Sequence, residues 1–405
     1  MLKKLFSVFA IILSFGILSA EITKEERENL KKELKEEIKK ELKEDLKKEK
    51  NILDMFSLNG KIKTRYEFEK KAKTDRSGHD TRHRGVFEAK LGFVFRPVDY
   101  FKAGFGLASG AETPVSSNET MKGQASSKPI FLDLAYIEVH PYFKWISLLT
   151  GKFRNPLFKA GGSQMVWDND VNPEGAAVAF KYDFGKFNLF GSGAIHVLEE
   201  YKVEPDDPFM AVFQLGAGLD MAGVKFNAAL SYLDTINLDK KLTQSRAGSD
   251  DSYAYSYSNS ISADDRYIYD YNVLGVDADF SYTAHKYFKI TLLGQFYSNI
   301  ANGVEEKYAY YYGIKISSDK MKNIGDYCAE FRSRHTGRDS FLDSFADSTY
   351  YYGRTGIVSY DLAVKAAIWN DVTFDILYSR QELITTGGVY KQPIDSVQLN
   401  FEVKF

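Results

Sequence analysis

Several common ingredients are missing or scarce in this chain of 405 residues. It has one cysteine, Cys328, so it can form no internal disulfide, and cysteine usage says nothing about compartment. Proline, at 9 residues, is sparse. The formal charge of −2 lacks the basic excess of a nucleic-acid binder, so no nucleic-acid partner is expected. Beyond the first twenty residues no run approaches the ~18 apolar residues of a spanning helix. If the mature chain lies in a membrane, it must do so as a closed β-barrel. The six histidines (79, 83, 140, 196, 285 and 335) are scattered, and neither G-x-S-x-G nor H-E-x-x-H occurs. No catalytic residue, cofactor or metal ligand is therefore expected, and an enzyme is the weakest alternative.

What is abundant is aromatic: 27 Tyr and 30 Phe help bring that class to 15%. The first twenty residues, "MLKKLFSVFAIILSFGILSA", have two lysines, an apolar run from Leu5 to Leu18 and a Ser-Ala end. They predict a signal peptide, 1–20, cut after Ala20. Residues 21–50 hold 11 acids and 11 bases, with Leu30, Leu34, Ile38, Leu42 and Leu46 every fourth position. The flanking charges make i,i+4 ion pairs, so 21–52 is expected to be a charged periplasmic α-helix. At ~1.5 Å per residue it would be roughly 45 Å long. A strict spacing of four drifts round the helix. Two readings stay open: a solvated spacer, or a coiled-coil stalk reaching peptidoglycan or another periplasmic partner.

After Asn51 the period becomes two. In "KIKTRYEF", Ile62, Thr64, Tyr66 and Phe68 alternate with Lys61, Lys63, Arg65 and Glu67. "LGVDADFSY" and "YDLAVKAAI" repeat the pattern. Alternation of this length predicts strands with one apolar face, long enough for a bilayer. Sixteen segments follow, near 57–70, 84–96, 100–109, 129–140, 143–153, 175–184, 187–197, 209–221, 224–235, 269–283, 286–299, 307–317, 325–335, 355–369, 371–382 and 393–405. Seven short turns alternate with eight long polar connections, at 71–83, 110–128, 154–174, 198–208, 236–268, 300–306, 336–354 and 383–392. An even barrel with both ends inside requires that alternation. The fold class is all-β: a transmembrane antiparallel barrel of about sixteen strands, spanning 53–405, behind an N-terminal helix. The end, "SVQLNFEVKF", reads as the closing strand.

Two stretches resemble a bacterial outer-membrane putative porin family. They are "GKFRNPLFKAGGSQMVWDNDVNPEGAAVAF" (151–180) and "DSFLDSFADSTYYYGRTGIVSYDLAVKAAIWNDVTFDILY" (339–378). Phe401, Val403 and Phe405 resemble the terminal signal read by barrel-assembly machinery. The resemblance implies a homotrimeric sixteen-stranded porin in the bacterial outer membrane, in contact with lipid, through which small hydrophilic solutes diffuse. An envelope tether or adhesin on a barrel anchor is the alternative.

By its position as third long connection, 154–174 is expected to fold inward as the constriction, with Arg154, Lys159, Asp168, Asp170 and Glu174. The alternation puts Lys61, Lys63, Arg65, Glu88, Lys90, Lys102, Lys152 and Lys181 on the pore wall. A mostly basic wall would then face an acidic loop. Tyr253, Tyr255, Tyr257, Tyr267, Tyr269 and Tyr271 are expected to extend strands and supply an aromatic girdle. Asp339, Asp343 and Asp347 read as solvated loop acids rather than cation ligands.

Overall fold

The computed structural model describes residues 52–73, 77–111, 113–141, 143–200, 206–238, 258–264, 266–384 and 390–405. The expected signal peptide and charged helix lie outside the described residues, as do Tyr253, Tyr255 and Tyr257. Contacts divide the chain into Met1–Phe56 and Ser57–Phe405, and the second unit carries the fold.

Among the described residues, seventeen strands form one sheet. They begin with β1 (Phe56–Ala72), β2 (His79–Val98), β3 (Phe101–Ser109), β4 (Glu119–Thr120), β5 (Ile130–Val139) and β6 (Ile146–Lys152). Next come β7 (Glu174–Phe184), β8 (Phe187–Val197), β9 (Phe209–Met221), β10 (Val224–Ile236), β11 (Asn272–His285) and β12 (Phe288–Asn299). The last are β13 (Tyr308–Ser317), β14 (Tyr327–Thr336), β15 (Ile357–Trp369), β16 (Val372–Ile384) and β17 (Tyr390–Lys404). β4 is a two-residue rung of a connection against β2. The other sixteen are the wall, and each matches one expected segment.

Every wall strand pairs antiparallel with its neighbour in sequence, and β17 returns to β1 in the register Lys61↔Lys404 to Lys71↔Ile394. The barrel is therefore closed. Phe405 completes the seam by exchanging backbone hydrogen bonds with Gly60, at 2.8 and 3.1 Å. The first hairpin is longer than expected, its strands running to Ala72 and from His79. Pairing there continues past the point where one face stops being apolar.

Burial is inverted relative to a water-soluble protein. Leu362 and Val364 of β15 are 57% and 58% exposed, whereas Asp361 is 1% exposed. Ile62, Phe93, Phe105, Leu148, Val178 and Leu274 likewise face outward. Glu88, Gln214, Asp277 and Gln398 are buried inside the ring. A continuous apolar outer surface on this scale is unsustainable in water and is what lipid demands. Near the short turns the outer face carries Tyr100, Trp145, Tyr182, Phe184, Phe187, Phe288 and Trp369, an aromatic belt at one rim. Tyr267 and Tyr271 do not join such a girdle. They are buried and meet edge to face at 6.0 Å, because their connection folds inward.

Candidate functional site

Sixteen strands leave an aqueous lumen, so the inward side chains decide what passes. Most wall charges are paired. Lys61 and Lys63 both reach Glu88, at 2.6 and 2.5 Å. Arg65 donates to Asn400 Oδ1 at 2.6 Å. Lys90 contacts Asp133 at 3.5 Å and Asp170 at 3.0 Å, and Lys102 pairs with Glu138. These bases are thus mostly matched by acids on nearby strands or on the 154–174 stretch, and the wall is not a bare basic surface. A charge held against a partly desolvated wall costs less when its partner is one strand away. A second set of ion pairs runs over β13–β15: Lys315–Glu330 at 3.2 Å and Arg332–Asp361 at 2.9 Å.

Lys181 keeps the inward parity and lines a recess with Ser147, Asn188 and Gln214. Glu174 departs from expectation, since it opens β7 and is largely exposed. Register places Lys152 opposite Ala135 and Glu174, on the parity of the exposed Ile137, Leu148 and Val178. Lys152 pairs with Glu174 at 2.9 Å where the strands end, and its side chain borders a recess with Asp133, Asp170 and Asn172. The alternation of β6 is weak because Leu148 and Leu149 are both apolar.

The stretch 154–174 contacts inward side chains far around the ring. Phe158 exchanges two hydrogen bonds with Gln214 of β9, at 2.7 and 2.9 Å. Ala160 N donates to Asp277 Oδ1 of β11 at 3.1 Å. Lys315 of β13 donates to Gly161 O at 2.7 Å. On the other side Asp170 takes Lys90 of β2, and Asn172 donates to Asp133 of β5 at 2.8 Å. An apolar underside was not anticipated. Phe153, Met165, Val166, Trp167 and Val171 are buried in one cluster with wall residues such as Val212, Leu293 and Tyr311. Trp167 stacks on Phe345 at 4.7 Å and lies 5.3 Å from His196. Burying each large side chain contributes about 1.5–3 kcal/mol. The apolar pair Leu157-Phe158 and the run Met165-Val166-Trp167 within a connection were the available signal.

Between this stretch and the wall of β1, β2 and β17 lies a recess of about 590 Å³. Arg154, Lys159, Asp168, Asp170, Lys61 and Lys90 line it together with Glu402 and Lys404. Asp168 is buried; it accepts from the backbone N–H of Asp170 at 2.8 Å and of Ser348 at 3.1 Å. Burial, then the Asp347 and Asp170 carboxylates, push its carboxyl up to about 8. Lys159 donates to Trp167 O at 3.0 Å, and burial pulls its ammonium down to about 8 against the nearby carboxylates. Burial pushes Asp170 up as well. The Lys90 ammonium and the Ser117 N–H outweigh it and hold that carboxyl below its usual range.

The sequence matches the pattern of the family described as "Putative porin" over residues 51–268 and 268–405. The chain belongs to that family. It is an outer-membrane channel for solute diffusion. Among solved structures, OprB of Pseudomonas putida is similar, with 12% identity, a TM-score of 0.56, and coverage of 88% of this chain and 96% of that one. A triple mutant of the Rhodopseudomonas blastica porin has 10% identity and a TM-score of 0.44, covering 86% of this chain and all of that one. The first of these likenesses concerns the fold. No curated protein matches the sequence.

In this porin the three spaced acids of 336–354 are buried rather than solvated. Asp339 accepts from Ser260 N at 2.8 Å and from the Tyr271 hydroxyl at 2.9 Å. Asp343 accepts from Ser258 N at 2.6 Å, and Asp347 pairs with Arg334 at 3.3 Å. They bind one long connection to another and to the wall. No metal-ligating cluster occurs among the described residues.

A pH dependence follows from the recess. Below about pH 8 Asp168 is protonated and Lys159 charged, so five bases (Lys61, Lys90, Arg154, Lys159, Lys404) face three ionised acids (Asp133, Asp170, Glu402). Above it four bases face four acids. Anion preference is expected at neutral pH and should fade through about pH 8. Reversal potentials under a salt gradient measure it. Asp168→Asn should flatten about half of the change; a titration that ignores this substitution counts against the assignment.

Proposed function

We propose that the porin passes small hydrophilic solutes and ions passively and with weak selectivity, and that 154–174 is its constriction. The observation carrying this reading is the set of contacts the stretch makes from β2 to β13, which leaves a recess lined by both charge signs. Such a lining favours polar solutes of either sign over apolar ones. Residues 1–20 would be removed on export, and 21–50 would stand in the periplasm as a charged helix. Family membership supports a homotrimer. The full chain in planar bilayers should show stepwise, ion-filled conductance with small reversal potentials. A silent bilayer would favour the tether reading. A strongly rectifying, solute-specific current would remove the weakly selective constriction. Scattering mass in detergent equal to one chain would remove the trimer.

A further inference from the structure

A second recess, of about 280 Å³, lies under the connections around 111–120 and 348–352. It is several times larger than the ~30 Å³ a water molecule occupies in the liquid. Its wall includes Arg65, Glu67, Arg84, Asn118, Tyr352 and Ser396. Four buried polar atoms on that wall have no hydrogen-bond partner among the described residues: Glu67 Oε2, Arg84 Nε, Asn118 Oδ1 and Ser396 Oγ. Glu67 and Ser396 are each 4% exposed. An unpaired buried polar atom costs roughly 1–3 kcal/mol. Four around one cavity mark a place where something polar belongs.

The vacant valences are of mixed kind. Glu67 Oε2 and Asn118 Oδ1 accept, Arg84 Nε–H donates, and Ser396 does either. Charges on the lining balance, Arg65 and Arg84 against Glu67 and Glu69. Glu69 is taken by the Tyr352 hydroxyl. The other oxygen of Glu67 holds Arg84 Nη2 at 2.8 Å. Oε2 itself faces Arg65 Nη1 at 3.9 Å, beyond hydrogen-bond reach, so what remains is an anionic acceptor beside a cationic donor. A solute of one sign would satisfy one and leave the other. Tyr351 and Tyr352, at the rim, hold φ of +48° and +64°, a strained backbone for residues with a side chain.

We propose that this recess is a binding subsite for small zwitterions, the free amino acids. The ammonium meets Glu67 and Asn118, and the carboxylate meets Arg84. It engages solute ahead of the 154–174 recess. The assignment rests on the diffusion reading only for access from water.

The test records KCl current through the full chain in planar bilayers while L-serine is added, with glycerol as the uncharged control. L-serine should reduce the current saturably, and glycerol at equal concentration should not. Glu67→Gln should raise the half-saturating concentration about tenfold, the weight of one charged hydrogen bond. Arg84→Lys keeps the charge, loses Nε–H, and should weaken saturation too; it decides the matter if Glu67→Gln does not fold. Equal effects of glycerol and L-serine, a strictly linear dose response, or indifference to both substitutions would overturn the subsite and leave ordered water as the occupant. A chain that conducts KCl without saturable L-serine block fails this proposal alone. One that conducts nothing fails the pore reading, and the subsite with it.

Discussion

Replacing residues 156–172 with a short Gly-Ser turn is expected to raise single-channel conductance several-fold. The stretch touches Lys90 of β2, Gln214 of β9, Asp277 of β11 and Lys315 of β13, so its removal opens the lumen across most of its circumference. The wall should survive, because each wall strand is paired with its two neighbours without help from this stretch. Stability should fall, since Met165, Val166, Trp167 and Val171 leave their cluster. Trp167→Ala is the milder version: it removes the stack on Phe345 while keeping the chain length, and should add current noise with a smaller rise in conductance. Unchanged conductance in the excised, folded barrel would show that something else sets the narrowest point.

Gly175→Val should nearly abolish folded barrel, and Gly151→Ala should reduce it strongly. These two glycines face each other across β6 and β7 at the root of the 154–174 stretch, with φ of +149° and +106°. L-residues with a side chain rarely adopt such angles, at a cost of roughly 1–3 kcal/mol each. Space is the larger obstacle. A Cβ at Gly175 would run into the backbone oxygen of Ile195, and one at Gly151 into that of Ala135. Both are ladder atoms of adjoining strands, so no side chain can swing aside. Gly78→Ala, with open space around it, is the matched control. The fraction resisting unfolding in cold detergent electrophoresis measures the outcome. Near-normal folding of Gly175→Val would mean the root of the stretch is looser than this pairing requires.

The wall was legible in the sequence almost strand by strand. Alternation in "KIKTRYEF" or "YDLAVKAAI" must be kept wherever one face meets lipid, so it survives in the residues themselves. It blurred where the constraint lapses. In β6 both Leu148 and Leu149 are apolar, one facing out and the other packed on the inner cluster, so the alternation alone does not separate the faces. In the constriction candidate the charges drew attention, while the buried Trp167 and Met165 hold the stretch down. Gly151 and Gly175 belong to the stretch that carried the family resemblance. Their physical role emerges only from the close approach of neighbouring backbones.

The sequence by itself determined the class of wall, the number of strands and which of their faces is oily, because a period of two is a local property and lipid enforces it residue by residue. Only the tertiary structure decided which wall charges are cancelled and which connection crosses the lumen. Those outcomes depend on partners remote in the chain, Lys90 with Asp170 and Ser348 with Asp168, separated by 80 and 180 positions. Strand register and loop packing bring such groups together, and no local pattern encodes either.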